Sequence, residues 1–344
     1  MNTIESLIGR FLVRNGLAEA GEPLRCTPLT GGVSSDIWRV DGRLGPVCVK
    51  RALPKLKVAA DWQAPVSRNA YEWAWLSFAA ACVPQAVPRP LAHDPDAGLF
   101  AMSWLDPQQH PVWKNQLLAG TVEPATAAAV GELLGRIHAA SAHDATLAAA
   151  FDTLENFQAL RLEPYLLATG NRHPDLGGQL TGLAQRTGAA RIALVHGDVS
   201  PKNILVGPQG PILLDAECAW YGDPAFDIAF CLNHLLLKTL ARPASLSACL
   251  QSFDALADRY FGLVDFEPRA ALEARAAALL PALMLARIDG KSPVEYLCDD
   301  GSQDGSRPAA RDAVRRFTRP LIAQPPARLD EVAARWRSSR EACQ

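Results

Sequence analysis

Asp198, Asn203 and Asp215 are spaced so that two carboxylates and a carboxamide can meet around one phosphoryl group. An apolar run over residues 192–195 leads into His196-Gly-Asp198, and Asn203 follows five residues after Asp198, just ahead of another apolar run. A further strand-like stretch, 211–214, then presents Asp215. The three side chains can therefore converge at one end of a two-stranded ribbon. Moving a γ-phosphoryl group asks little covalent chemistry of a protein. It needs a group to accept the proton of the attacking hydroxyl, and Mg²⁺ held against the phosphates. Asp198 suits the first task. Asn203 and Asp215 suit the second, because hard cations take oxygen ligands and Mg²⁺ is usually held by one or two carboxylates plus phosphate and water. Glu217 can either assist the metal or bond to the backbone. His196 reads as a buried orienting residue rather than the base, and Asp227 as a brace for the loop that carries Asp198.

Upstream, Lys50 ends the apolar stretch Val47-Cys-Val-Lys50. A lysine at a strand end is usually solvated, but here a glycine turn precedes it and a helix-like segment follows, the arrangement of a phosphate-binding lysine. That segment, 67–82, has Ser67 as its expected N-cap and carries Glu72, placed to form an ion pair that holds Lys50 toward the phosphates. Gly31-Gly32 followed by Ser34-Ser35 offers backbone amides that can approach phosphate oxygens. Gly-Gly is equally an ordinary hairpin turn, and it is the position ahead of Lys50 that favours the nucleotide reading.

His-Gly-Asp-x-x-x-x-Asn, Asp-x-Glu and Gly222-Asp-Pro-Ala-Phe-Asp227 together resemble the C-terminal lobe of the aminoglycoside phosphotransferase and choline kinase-like family of small-molecule kinases. Leu29-Thr-Gly-Gly-Val-Ser-Ser35 resembles that family's nucleotide loop, Val47-Cys-Val-Lys50 its ATP-lysine strand, and Phe100-Ala-Met-Ser-Trp-Leu105 its inter-lobe hinge. The resemblance covers roughly residues 24–297. Lys50-Arg-Ala-Leu-Pro54, with Trp62, Pro65 and Arg68, is also similar to methylthioribose kinases, whereas the loop Ser200-Pro-Lys-Asn203 follows the broader family.

The resemblance implies an α+β, bilobal protein-kinase-like fold: a small antiparallel-sheet lobe over residues 1–105 and a larger, mostly helical lobe over 106–344. It implies ATP and Mg²⁺ as the reagents, a small polar molecule as acceptor, and adenine against the hinge near Met102 and Trp104. Loss of Asp198 or Asp215 would indicate a non-catalytic, nucleotide-binding pseudokinase; both are present. Candidate acceptor walls are Trp220, Tyr221, His234, Lys238, Arg287, Asp289, Lys291 and Glu295, a set of mixed sign. Trp220-Tyr221 can equally fill core. Asp289, Glu295 and Asp299-Asp300 would suit a cationic acceptor, Arg287 and Lys291 an anionic or neutral polyol. Residues 299–307 read as a solvated loop.

Holding these groups requires two lobes, and 344 residues suffice for both. Residues 1–21 read as an amphipathic helix, short strands alternate with turns over 24–50, and strand returns over 89–105. Helical patterns then cover 123–142 and 147–167, and almost the whole chain beyond Pro224. A formal net charge of -2, with no Lys/Arg run, argues against a nucleic-acid partner. Apolar stretches such as 276–286 fall short of a membrane span, so no membrane anchoring is expected. Eight scattered cysteines without a Cys-x-x-Cys pair, and a start lacking a signal-like run, suggest reduced thiols, no zinc site and a cytoplasmic setting.

Overall fold

The computed structural model describes residues 4–29, 35–53, 66–298 and 306–342. Gly31, Gly32 and Ser34 of the glycine turn lie outside the described residues, as do Trp62, Pro65 and the 299–305 loop.

The first lobe is a five-stranded antiparallel sheet in the order β1-β2-β3-β5-β4. Its strands are β1 (Arg25–Pro28), β2 (Ser35–Gly42), β3 (Gly45–Ala52), β4 (Pro90–Asp94) and β5 (Leu99–Ser103). Helix α1 (Ile4–Arg14) precedes it, and α2 (Arg68–Cys82) is inserted between β3 and β4. Alternation along a strand sends neighbouring side chains to opposite faces. Val49 therefore joins Ile8, Phe11 and Leu12 of α1 in one core, while Lys50 faces α2. The first helix stops at Arg14 rather than near residue 21 because Gly16 is left-handed (φ 69°) and the Leu17 N–H turns back to the Leu12 carbonyl. Ser67 likewise departs from expectation: its backbone is already helical and its side chain caps nothing.

The second lobe begins with α3 (Trp113–Ala119), α4 (Pro124–Ser141), α5 (Ala145–Ala150), α6 (Leu154–Phe157), α7 (Ala168–Arg172) and α8 (Gly177–Ala189). Between α6 and α7 the chain is π-helical over Gln158–Leu167. Two short ribbons follow: β6 (Ala193–Val195) pairs with β9 (Trp220–Gly222), and β7 (Ile204–Gly207) with β8 (Gly210–Leu213). The single ribbon expected around Asp198 is thus split in two, and the Asp198 segment connects β6 of one to β7 of the other. The remaining helices are α9 (Ala225–Ala241), α10 (Leu246–Phe261), α11 (Arg269–Asp289), α12 (Ser306–Ala323) and α13 (Leu329–Glu341). Helix α9 is apolar nearly all round and buried continuously from Ala225 to Thr239, the mark of a central helix. Among the described residues, no helix is long and apolar enough to cross a membrane.

The small residues of α4 set how closely it meets α10. A Cβ on Gly131 would stand 2.3 Å from the Leu256 carbonyl oxygen. Replacing a mid-helix glycine by alanine normally gains about 1 kcal/mol of helix propensity. Here the obstacle is backbone, which cannot rotate away, so the helices must part at a cost of about 1–3 kcal/mol. Gly131→Ala is accordingly expected to lower the midpoint of urea unfolding; a raised midpoint would show that the α4–α10 contact yields freely.

Candidate active site

The cleft between the lobes is organised around a buried cation. Lys50 Nζ lies 2.7 Å from Glu72 Oε1 and also contacts Asp215 Oδ1, so β3, α2 and the segment after β8 meet on one ammonium. Lys50 and Glu72 are each only 2% exposed. Burial alone would push the Lys50 pKa down, but the carboxylates of Asp215 and Glu72 outweigh it and push it up. Asp215 is held well below the usual carboxylate range: burial opposes this, and Lys50 and Lys202 override it. Its backbone is left-handed (φ 68°), a conformation that aspartate tolerates better than most residues. One turn before Glu72 on α2, Arg68 donates from Nε to Glu217 Oε2 at 3.1 Å. The Glu217 carboxylate, expected as a metal donor, is engaged by this guanidinium, while its backbone carbonyl accepts from Asn156 Nδ2 at 2.9 Å.

The Asp198 loop is fixed from several sides. Gly197 is left-handed (φ 79°), and a Cβ there would stand 2.6 Å from the Cys218 carbonyl oxygen, which accounts for glycine between His196 and Asp198. Asp227 accepts from the backbone N–H groups of His196 and Gly197, each at 2.8 Å. The buried His196 ring accepts from the Asp198 N–H at Nδ1 (3.1 Å), so its Nε2 donates to the Leu214 carbonyl (3.1 Å). It also meets Trp75 of α2 edge-on at 4.7 Å, linking the lobes.

Asp198 Oδ2 receives Arg161 Nη2 at 2.8 Å, Asn203 Nδ2 at 2.8 Å and, at 3.2 Å, Lys202 Nζ. Oδ1 is buried and, among the described residues, has no hydrogen-bond partner. Asn203 spends its amide nitrogen on Asp198, which leaves the amide oxygen as its donor toward a cation. Burial pushes the Asp198 pKa up, yet Arg161 and Lys202 prevail and hold it below the ordinary range. Arg161 had no signal in the sequence. It is carried by the π-helical segment, where Pro164 offers no N–H to the Leu160 carbonyl, and that carbonyl instead accepts from Arg161 Nη1 at 2.6 Å. Lys202 was legible in principle as the i+4 neighbour of Asp198.

The remaining expected residues divide. Ser35 is buried at the start of β2, and Met102 is half-buried near the end of β5. Trp104 follows, with the Arg39 guanidinium 5.0 Å from its ring centre. His234, Lys238, Arg287 and Glu295 line one cavity beside Pro201 and Lys202. Four other candidate walls are engaged away from that cavity. Trp220 stacks on Phe157 at 4.3 Å in the core, and the single proton of the Tyr221 hydroxyl is shared between the carbonyls of Ser141 and Ile192. Asp289 is engaged by His173 and Arg315, and Lys291 by Glu163.

A model of the phosphotransferase enzyme family matches residues 25–260. The chain belongs to that family. Among curated relatives, the methylthioribose kinase of Pectobacterium atrosepticum is 28% identical over 227 residues, 58% of this chain and 56% of the relative. The methylthioribose kinase of Escherichia coli O45:K1 is 27% identical over 281 residues, 64% of this chain and 66% of the relative. The chain thus spans about half the length of the first of these, 56%. Among solved structures, the choline kinase of Cryptosporidium parvum superposes with a TM-score of 0.57 at 10% identity, covering 96% of this chain and 100% of the other. Amicoumacin kinase hAmiN, in complex with AMP-PNP, Ca²⁺ and Ami, gives 0.55 at 16% identity over 88% and 90%. With this likeness, the five-stranded sheet and helical lobe make up the bilobal protein-kinase-like fold.

Asp198 would act as a base only when ionised, so a lowered pKa keeps it competent further into acid. Removing Arg161 leaves the burial and deletes the largest opposing charge, which must raise that pKa. For folded Arg161→Met, the acid limb of the turnover–pH profile is expected to move up by about 1 pH unit, with Arg161→Lys restoring part of it. An unmoved limb would refute the assigned electrostatic role.

Proposed function

We propose that the chain transfers the γ-phosphoryl group of ATP to a hydroxyl of a small polar molecule, with Mg²⁺ as the companion ion. The observation that carries this reading is the unbonded, buried Oδ1 of Asp198, set in the same cleft as the Lys50–Glu72–Asp215 cluster. Such an oxygen suits a hydroxyl donor. The hydroxyl proton passes to Asp198 as its oxygen bonds to phosphorus, the bond from phosphorus to the β–γ bridging oxygen breaks, and ADP leaves. Asp198 supplies orientation and proton acceptance, typically worth about 10²–10⁴-fold.

The donor set fits the metal. Among the described residues no three His, Cys, Asp or Glu side chains form a metal cage, and Mg²⁺ with nucleotide does not need one, since phosphates and water fill most of its positions. Asp215 and Asn203 are the proposed protein ligands, and bound Mg²⁺ would supply positive charge against the phosphate oxygens. Glu217, tied to Arg68, is assigned a supporting place beside them. Lys50 is the proposed phosphate contact, Ser35 with Gly31, Gly32 and Ser34 the loop over the phosphates, and Met102 and Trp104 the adenine side. The AMP-PNP and Ca²⁺ of the amicoumacin kinase complex support a nucleotide and a divalent ion here. The methylthioribose kinase relatives support a polyhydroxylated acceptor.

Two substitutions separate these roles. Asp198→Asn is expected to lower transfer by about 10²–10⁴-fold in a coupled ADP-release assay while Mg²⁺-ATP affinity by titration calorimetry changes little. Asp215→Asn is expected to weaken Mg²⁺-ATP binding as well. Unchanged turnover in the first variant, or normal Mg²⁺-ATP affinity in the second, would contradict the respective assignment.

A further inference from the structure

The cavity beside the Asp198 loop gathers basic side chains, two of which, Lys238 and Arg287, have no carboxylate partner among the described residues. Helix α9 contributes His234 and Lys238, one turn apart on the same face, and α11 contributes Arg287. Lys238 is 1% exposed, with its Nζ 3.7 Å above the centre of the Tyr296 ring. Among the described residues, no carboxylate oxygen lies within salt-bridge distance of Lys238 or Arg287. Arg287 is held by neutral groups: Nη1 donates to the Tyr165 hydroxyl at 3.1 Å and to Ser292 Oγ at 2.9 Å. The nearby Glu295 is taken by Lys114 at 2.7 Å and is largely exposed. Among the described residues, three buried polar atoms in this wall have no hydrogen-bond partner: His234 Nε2, Arg287 Nε and the Tyr296 hydroxyl.

Burying a cation without a counter-charge is costly, and unbonded buried polar atoms add to that cost. Burial pushes Lys238 down to about 7, and Glu295 opposes this only in part. Burial and the surrounding cations push His234 well down too. A compact oxyanion, admitted as the wall opens from its present free volume of about 10 Å³, would meet both deficits at once, giving Lys238 and Arg287 their counter-charge and accepting from the idle donors. Lys202 joins this wall to the reacting centre, since it lines the same cavity and lies 3.2 Å from Asp198 Oδ2.

We propose that the phosphoryl acceptor is a small hydroxyl-bearing anion, its hydroxyl at Asp198 and its carboxylate or phosphate group seated against Lys238, Arg287 and His234. This rests on the phosphotransferase reading of the cleft and narrows its acceptor class. Neutral and cationic acceptors would leave the buried charges unmatched.

The test is ADP release with Mg²⁺-ATP across matched pairs: glycerate with glyceramide, 4-hydroxybutyrate with its amide, gluconate with gluconamide, glycerol 3-phosphate with glycerol, and ribose 5-phosphate with ribose. At least one anion is expected to exceed its neutral partner by about tenfold or more in kcat/KM, and the acid and phosphate pairs distinguish the two sources of the oxyanion. Lys238→Met, checked for folding by circular dichroism and for Mg²⁺-ATP affinity, is expected to remove that preference mainly through KM, with Lys238→Arg retaining it. Neutral partners equal to or better than every anion, a preference untouched in Lys238→Met, or no calorimetric binding of any anion by protein that binds Mg²⁺-ATP normally would each overturn the proposal. Failure of Mg²⁺-ATP to bind at all would instead strike the phosphotransferase reading beneath it.

Discussion

The cleft depends on the placement of one ammonium in the protein interior. An uncompensated lysine at this depth would cost several kcal/mol, and Lys50 is compensated from both sides, by Glu72 of the small lobe and Asp215 of the large one. Much of the architecture serves that arrangement. The central strand β3 aims Lys50 away from the α1 core, α2 is inserted so that Glu72 can meet it, and Asp215 takes a left-handed backbone that turns its carboxylate inward. That backbone costs on the order of 1 kcal/mol, less than an unpaired buried charge. The same α2 helix places Arg68 on Glu217 and Trp75 on His196, so one helix carries the contacts that register the lobes.

A second constraint fixes the Asp198 carboxylate, the proposed base. Asp198 is buried beside Asp215, where two carboxylates would raise one another's pKa, and the protein counters with Arg161 and Lys202 on a single oxygen. The other oxygen has no partner among the described residues. This division makes one carboxylate both ionised and available. It depends in turn on Gly197, whose lack of a Cβ lets the loop lie against Cys218, and on Asp227, which accepts the two backbone N–H groups that the loop exposes.

What was legible in the sequence was local. Asp198, Asn203 and Asp215 fall within 18 residues of one another, so loop and ribbon geometry almost dictate their meeting. Lys50 and Glu72 required the strand and helix patterns, and those patterns were strong. Arg161 lies 37 residues before Asp198, and its aim arises from a π-helical register around Pro164 that period-3.6 reading does not anticipate. The wall beside Lys202 was half legible. His234 and Lys238 stand four apart on α9 and share a face, whereas Arg287 and Asp289 stand two apart on α11 and cannot. Helix geometry thus separates the cation from the carboxylate and explains why Asp289 joins Arg315 on the far side. Trp220 and Tyr221 were undecidable from composition because an aromatic pair fills core and pocket equally well.

The central claim is that this cleft joins a nucleotide's terminal phosphoryl group to a small-molecule hydroxyl. The most direct measurement is phosphorus NMR of the protein with Mg²⁺-ATP and a mixture of hydroxy acids and polyols. The account predicts a new phosphomonoester resonance growing in step with ADP. Bound ATP that stays intact, or yields only ADP and inorganic phosphate in the presence of every acceptor, would contradict it.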